Sequence, residues 1–85
     1  MKKLVELDEN EGLEKLMGKR VTVYCLNYIY TGLLAGVNDH DILLKNAAVV
    51  YETGPYTDST WKDAQALPDD WYVRTACIES YGILK

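Results

Sequence analysis

The chain has no phenylalanine, only two cysteines, two prolines and one histidine in 85 residues, and fewer positive charges than negative ones. Cys25 and Cys77 are far apart and outside any CxxC pair, so with His40 alone beside them they cannot build a disulfide framework or a structural zinc site. Both lie in apolar stretches and are expected as buried free thiols. No apolar run reaches the roughly 18 residues of a membrane span. Met1-Lys2-Lys3 is followed by Leu4-Val5-Glu6-Leu7-Asp8, whose charges interrupt a signal-peptide core, so a cytoplasmic location is expected. Nine Lys+Arg against 13 Asp+Glu leave a net charge of −4, which excludes a histone-style basic coat and disfavours a polybasic membrane anchor. Catalytic chemistry also lacks its parts. No Ser or Cys nucleophile has a base at a recognisable spacing, and the acidic pairs Asp39/Asp41 and Asp69-Asp70 lack the ligand pattern of a calcium loop. The reading is a non-enzyme with no catalytic residue, no metal and no cofactor.

What is present is a folding composition. Hydrophobic residues make up 48% of the chain, enough for one core and, at this length, no second one, so residues 1–85 are read as a single domain. A helix is expected over residues 8–18. Asp8 and Glu11 form a capping box, Leu13, Leu16 and Met17 share a face, and Gly18 stands where a helix ends. Gly12 within it costs up to about 1 kcal/mol relative to Ala, so that helix must be held by docking. From Val21 the period becomes two. Residues 20–51 give three strands: one from Val21, one over 29–37 whose Gly32 and Gly36 mark bends, and a long one from Ile42 to Tyr51 with Asn46 at a bulge. Asn38-Asp39-His40-Asp41 is a polar turn between the last two. Residues 53–70 form a long loop, with Thr60 and Asp63 capping one helical turn that Pro68 ends. Trp61 and Trp71 flank this loop as its anchors. Residues 71–84 hold two last short strands.

A helix followed by five short, bent strands fits a mainly β fold, a five-stranded, strongly bent antiparallel SH3-like small barrel. The last two strands of such a barrel leave edges exposed, and the edge of one copy can pair with the opposite edge of the next, closing a ring. Tyr72, Val73, Ile78 and Tyr81 are the candidate interface residues.

Two stretches carry a family resemblance. One runs Tyr30-Thr31-Gly32-Leu33-Leu34-Ala35-Gly36-Val37-Asn38-Asp39-His40-Asp41-Ile42-Leu43-Leu44-Lys45-Asn46-Ala47, an apolar strand with a glycine, a polar turn and a second apolar strand. The other is Val73-Arg74-Thr75 followed by Ile78. In this order they resemble the Sm/LSm family of RNA-binding rings, to which the bacterial RNA chaperone Hfq belongs. The chain departs from the family pattern where Asn38 replaces the motif Asp and Thr75 the glycine after the arginine, and no residue clearly matches the base-contacting Asn.

The resemblance implies a homo-oligomeric ring of roughly five to seven copies, with single-stranded RNA, or DNA, at the pore, in RNA processing or chaperoning. Asn38, His40, Asp41, Arg74 and Thr75 would line that pore. Unpaired bases can stack on imidazole or guanidinium faces and bond through their edges, and Asn38 offers a donor and an acceptor for such an edge. The ordinary readings are a solvated His40, an Arg74 paired with Glu79 or a neighbouring Asp, and tyrosines that serve strands. A different function also fits the acidic balance: a non-catalytic structural or adaptor module that binds protein partners through edge strands or the 53–70 loop.

Overall fold

The computed structural model describes residues 12–85. A single helical turn, α1 (Gly12–Lys15), precedes six strands: β1 (Arg20–Cys25), β2 (Ile29–Val37), β3 (Asp41–Glu52), β4 (Asp63–Ala66), β5 (Trp71–Arg74) and β6 (Ile78–Gly82). All pairings are antiparallel, in the order β4-β3-β2-β1-β6. β5 lies on the same edge of β3 as β4, opposite Asp41–Leu44 where β4 lies opposite Ala48–Glu52. The fold is mainly β and antiparallel as expected, but the five-stranded small barrel is corrected to one bent sheet of six strands that does not close. A three-residue 3-10 turn, Thr75–Cys77, separates β5 from β6. It carries the chain onward from β5 on the β3 edge to β6 on the β1 edge, and the two strands do not pair with each other.

Strand alternation builds the core. Val21 and Val23 from β1, Leu34 from β2, Ile42, Leu44 and Ala47 from β3 and Val73 from β5 are all buried in one cluster. The spacing in β3 changes from two (Ile42, Leu44) to three (Leu44, Ala47), and the register accounts for it. Leu33 stands opposite Lys45 and Thr31 opposite Ala48, so β3 has three steps where β2 has two. Asn46 takes up the extra residue at a φ of 49°, a left-handed conformation that Asn tolerates better than most residues. A second irregularity, between Leu34 and Gly36 of β2, bends the sheet again near the β2–β3 turn.

Before β1, Leu13 and Leu16 pack on the core, whereas Met17, expected on the same face, is 43% exposed. The helix ends at Lys15, before Met17 can complete its apolar stripe. Gly12 opens this turn with a φ of 70°, so its freedom is used there and is not a loss inside a helix. The capping box of Asp8 and Glu11 lies outside the described residues. Two further expectations fail. The 53–70 stretch contains a strand, β4, in place of a capped helical turn, and Cys77 is exposed in the 3-10 turn while Cys25 is half-buried. Both thiols are free, and burial, followed by Cys77 and Glu79, pushes the Cys25 thiol up. No helix among the described residues is long and apolar enough to cross a membrane.

The sheet has a second covered face. Thr22 and Thr31 are cross-strand partners and fully buried, yet Thr22 points away from the core that Val21 and Val23 enter. Tyr24, two residues along β1, shares that side and meets Tyr56 of the β3–β4 loop, hydroxyl to hydroxyl at 2.8 Å. The hydrogen bond with Tyr56, then burial, pushes the Tyr24 hydroxyl from 10.0 up to about 12. The neutral form is thus favoured by folding. Its contribution is complete below the unfolded value and disappears as pH rises from about 10 through about 12. A spectroscopic tyrosinate titration should show one group ionising near 12 that is missing in Tyr24→Phe and moves down in Tyr56→Phe. If neither substitution altered the alkaline limb, the pair would not exist in solution.

Candidate nucleic-acid interface

The β2–β3 turn is built by Asn38. Its side-chain Oδ1 accepts the backbone N–H groups of His40 at 2.7 Å and Asp41 at 2.8 Å, and its own N–H donates to the Asp41 carbonyl at 2.9 Å. This is the Asx geometry that makes Asn a turn residue. Here it has a functional consequence. The amide oxygen is fully used by the turn, so Asn38 can offer a ligand only its NH2 group, not the donor–acceptor pair expected from its residue type.

The other polar stretch joins this turn from 33 residues or more along the chain. Thr75 donates its N–H to the His40 carbonyl at 2.8 Å and its hydroxyl to the Asp39 carbonyl at 3.1 Å. One residue earlier, β5 stands opposite β3 with Arg74 facing Asp41, and Arg74 Nε lies 3.5 Å from Asp41 Oδ1. Asn38, His40, Asp41, Arg74 and Thr75 thus meet at one end of the sheet. Their separate parts are unequal. Thr75 locks the two segments together and Asn38 shapes the turn, while the exposed His40 ring and the guanidinium are left to face solvent. Arg74 is paired within its own chain, with Asp41 rather than Glu79. At 72% side-chain exposure that single contact contributes at most about 1 kcal/mol. The remaining guanidinium donors have no protein partner among the described residues.

A scan of protein-family models and a search of curated proteins give no match to this chain.

Beside the corner lies a cleft of about 250 Å³. Leu43, Ile42 and Val37 form its apolar lining, Asn38 and Asp41 its polar end, and Tyr72 one wall. Register explains this assembly, since Gly36, Leu43 and Tyr72 are successive cross-strand partners on β2, β3 and β5. Tyr72 is 67% exposed. It is expected from the sequence at a subunit edge, and the pairing of β5 with β3 sets it next to the polar turn.

The other candidate interface residues divide in two. Val73 turns into the core, which takes its side chain away from a neighbour, while Ile78 packs against the core and stays half-buried. Tyr81 is 41% exposed. Among the described residues, the second edges of β5 and β6 have no strand partner, so an association there would run through backbone groups. Arg20 donates to the Asn46 carbonyl at 3.2 Å and steadies the β3 bulge.

Proposed function

We propose that the chain is the subunit of an Sm-like ring that binds short single-stranded RNA at its polar corners and has no catalytic role. The observation that carries this reading is the junction of Thr75 with Asp39 and His40, which draws the two family-like segments into one corner. The edges of β5 and β6, on opposite sides of the sheet and without a strand partner among the described residues, suit a head-to-tail contact that repeats around an axis. A base entering the corner stacks on His40 or Tyr72, meets the Asn38 NH2, and places its sugar–phosphate near Arg74. Each copy carries −4, so contacts to bases outweigh phosphate attraction. Repetition of the corner supplies avidity that one copy lacks.

Light scattering on the pure protein should give a mass several times 9.6 kDa, and oligo-U or oligo-A should bind at low salt with a shallow dependence on salt concentration. Arg74→Ala should weaken that binding about tenfold or more, since a hydrogen-bonded charge is removed, without changing the mass. A monomer, or oligonucleotide binding indifferent to Arg74, would overturn the reading. The adaptor alternative rests on β4, whose four residues are all exposed on a sheet edge that a peptide strand could extend. It requires partner binding that survives Arg74→Ala and is lost when β4 is disrupted.

A further inference from the structure

Lys85, three residues past β6, closes onto the β3–β4 loop. Its Nζ donates to the backbone carbonyls of Thr53 at 2.7 Å, Thr60 at 2.8 Å and Pro55 at 3.0 Å. The Trp61 ring lies against the same nitrogen, 4.8 Å from centroid to Nζ. An ammonium has three N–H donors and no acceptor, so three carbonyls saturate it. Among the described residues no side-chain carboxylate pairs with it: the ion pairs are Lys62–Glu52, which flanks the loop, and Arg74–Asp41.

The loop is shaped for this convergence. Gly54 sits at a φ of 68° between two of the carbonyls, and a Cβ there would come within 3.2 Å of the Lys62 side chain. The Asp58 N–H donates to the Pro55 carbonyl at 3.1 Å and tightens the following turn. Carbonyl oxygens aimed at one point replace the hydration shell of a cation, and an indole face adds attraction of the same sign. We propose that residues 53–61 form a receptor for a primary ammonium, filled in cis by Lys85, and that this one group buckles the β3–β4 loop across the second face of the sheet.

The buckle governs more than the loop. Tyr56, inside the strapped segment, bonds Tyr24 and walls a groove of about 230 Å³ that Thr22, Tyr81 and Ile83 also line. Thr22 Oγ1 is buried there without a hydrogen-bond partner among the described residues. Releasing Lys85 frees Tyr56 and opens this side of β1 and β6. The strap therefore couples the β3–β4 loop to the segment that follows β6, and it stands independently of any RNA binding.

NMR of the intact chain with 15N-labelled lysine tests the occupied state. The Lys85 ammonium should exchange slowly and show a ring-current shift that Trp61→Leu abolishes, unlike the surface ammonium of Lys62. Lys85→Met keeps an apolar stem but no ammonium. It should speed amide exchange across 53–62 about tenfold or more, as expected for losing hydrogen bonds to a charged group, and leave the β1 and β2 core amides unchanged. In Lys85→Ala, n-propylammonium should restore protection, whereas tetramethylammonium, which has no N–H donors, should not. Lys85 signals that coincide with those of Lys62, unchanged exchange in Lys85→Met, or equal rescue by both cations would each overturn the proposal. The first measurement decides the matter even if both variants fail to fold.

Discussion

Gly32→Val should leave the domain unfolded or close to it. A Cβ at Gly32 would lie 3.1 Å from Leu44 Cβ, 3.1 Å from the Lys45 carbonyl oxygen and 3.2 Å from Ala47 Cα. Two of these three atoms are backbone, and they belong to the β3 bulge that Asn46 holds at positive φ. They cannot rotate aside as a side chain could. Overfilling a packed site costs about 1–3 kcal/mol for a few added carbons, the range expected for Gly32→Ala. Valine adds two more methyls at this close approach of β2 to β3, against a total stability of about 5 kcal/mol at the low end for small domains. Gly36→Ala is the internal control. Its Cβ would meet Leu43 Cβ at 3.4 Å, an ordinary contact, and a change within about 0.5 kcal/mol is expected. Urea unfolding of the two variants measures the contrast. Equal midpoints would show that β2 and β3 do not approach as described.

The same bulge shows how far the sequence speaks for the fold. A polar Asn46 in the middle of a run of apolar strand residues marks the break in alternation, and the structure has the extra residue there. The pattern Val21, Val23 and the turn at Asn38–Asp41 were legible for the same reason, because period and turn chemistry are local properties. β4 was not. Asp63-Ala64-Gln65-Ala66 carries no strand preference, and it becomes a strand because the far half of β3 presents an edge to it. Met17 and Cys77 were misplaced because an early helix end and a 3-10 turn fix exposure, and neither has a period to read. At the corner, residue types announced polarity but not who would use it. Asn38 reads as a base-edge partner until its Oδ1 is found bonded to two backbone N–H groups. Tyr72 and Lys85 depend on contacts across 24 residues or more along the chain for their surroundings, and nothing in their neighbours reports them.

Asn38→Ala should cost oligonucleotide binding far more than it costs stability. The substitution removes the acceptor for the His40 and Asp41 N–H groups, both in an exposed turn where water can replace it. Loss of such a cap costs about 1 kcal/mol, which lowers the thermal midpoint by about 4–8 °C in a domain of this size. Binding in the proposed ring is affected differently, because every copy presents the same corner to one strand. A loss of about 0.7 kcal/mol at each of roughly six corners amounts to about 4 kcal/mol, on the order of a thousandfold in Kd. Asn38→Asp separates shape from contact. It keeps oxygen acceptors for the turn and so most of the stability, but it exchanges the NH2 donor for a negative charge. If Asn38 acts only by shaping the turn, Asn38→Asp retains binding at moderate salt, with a salt dependence that reveals the added charges. If its NH2 touches a base, Asn38→Asp loses binding as Asn38→Ala does. Fluorescence anisotropy with oligo-U and oligo-A distinguishes the two, and Asn38→Ala rings that bind as tightly as the parent would mean that the corner holds no strand.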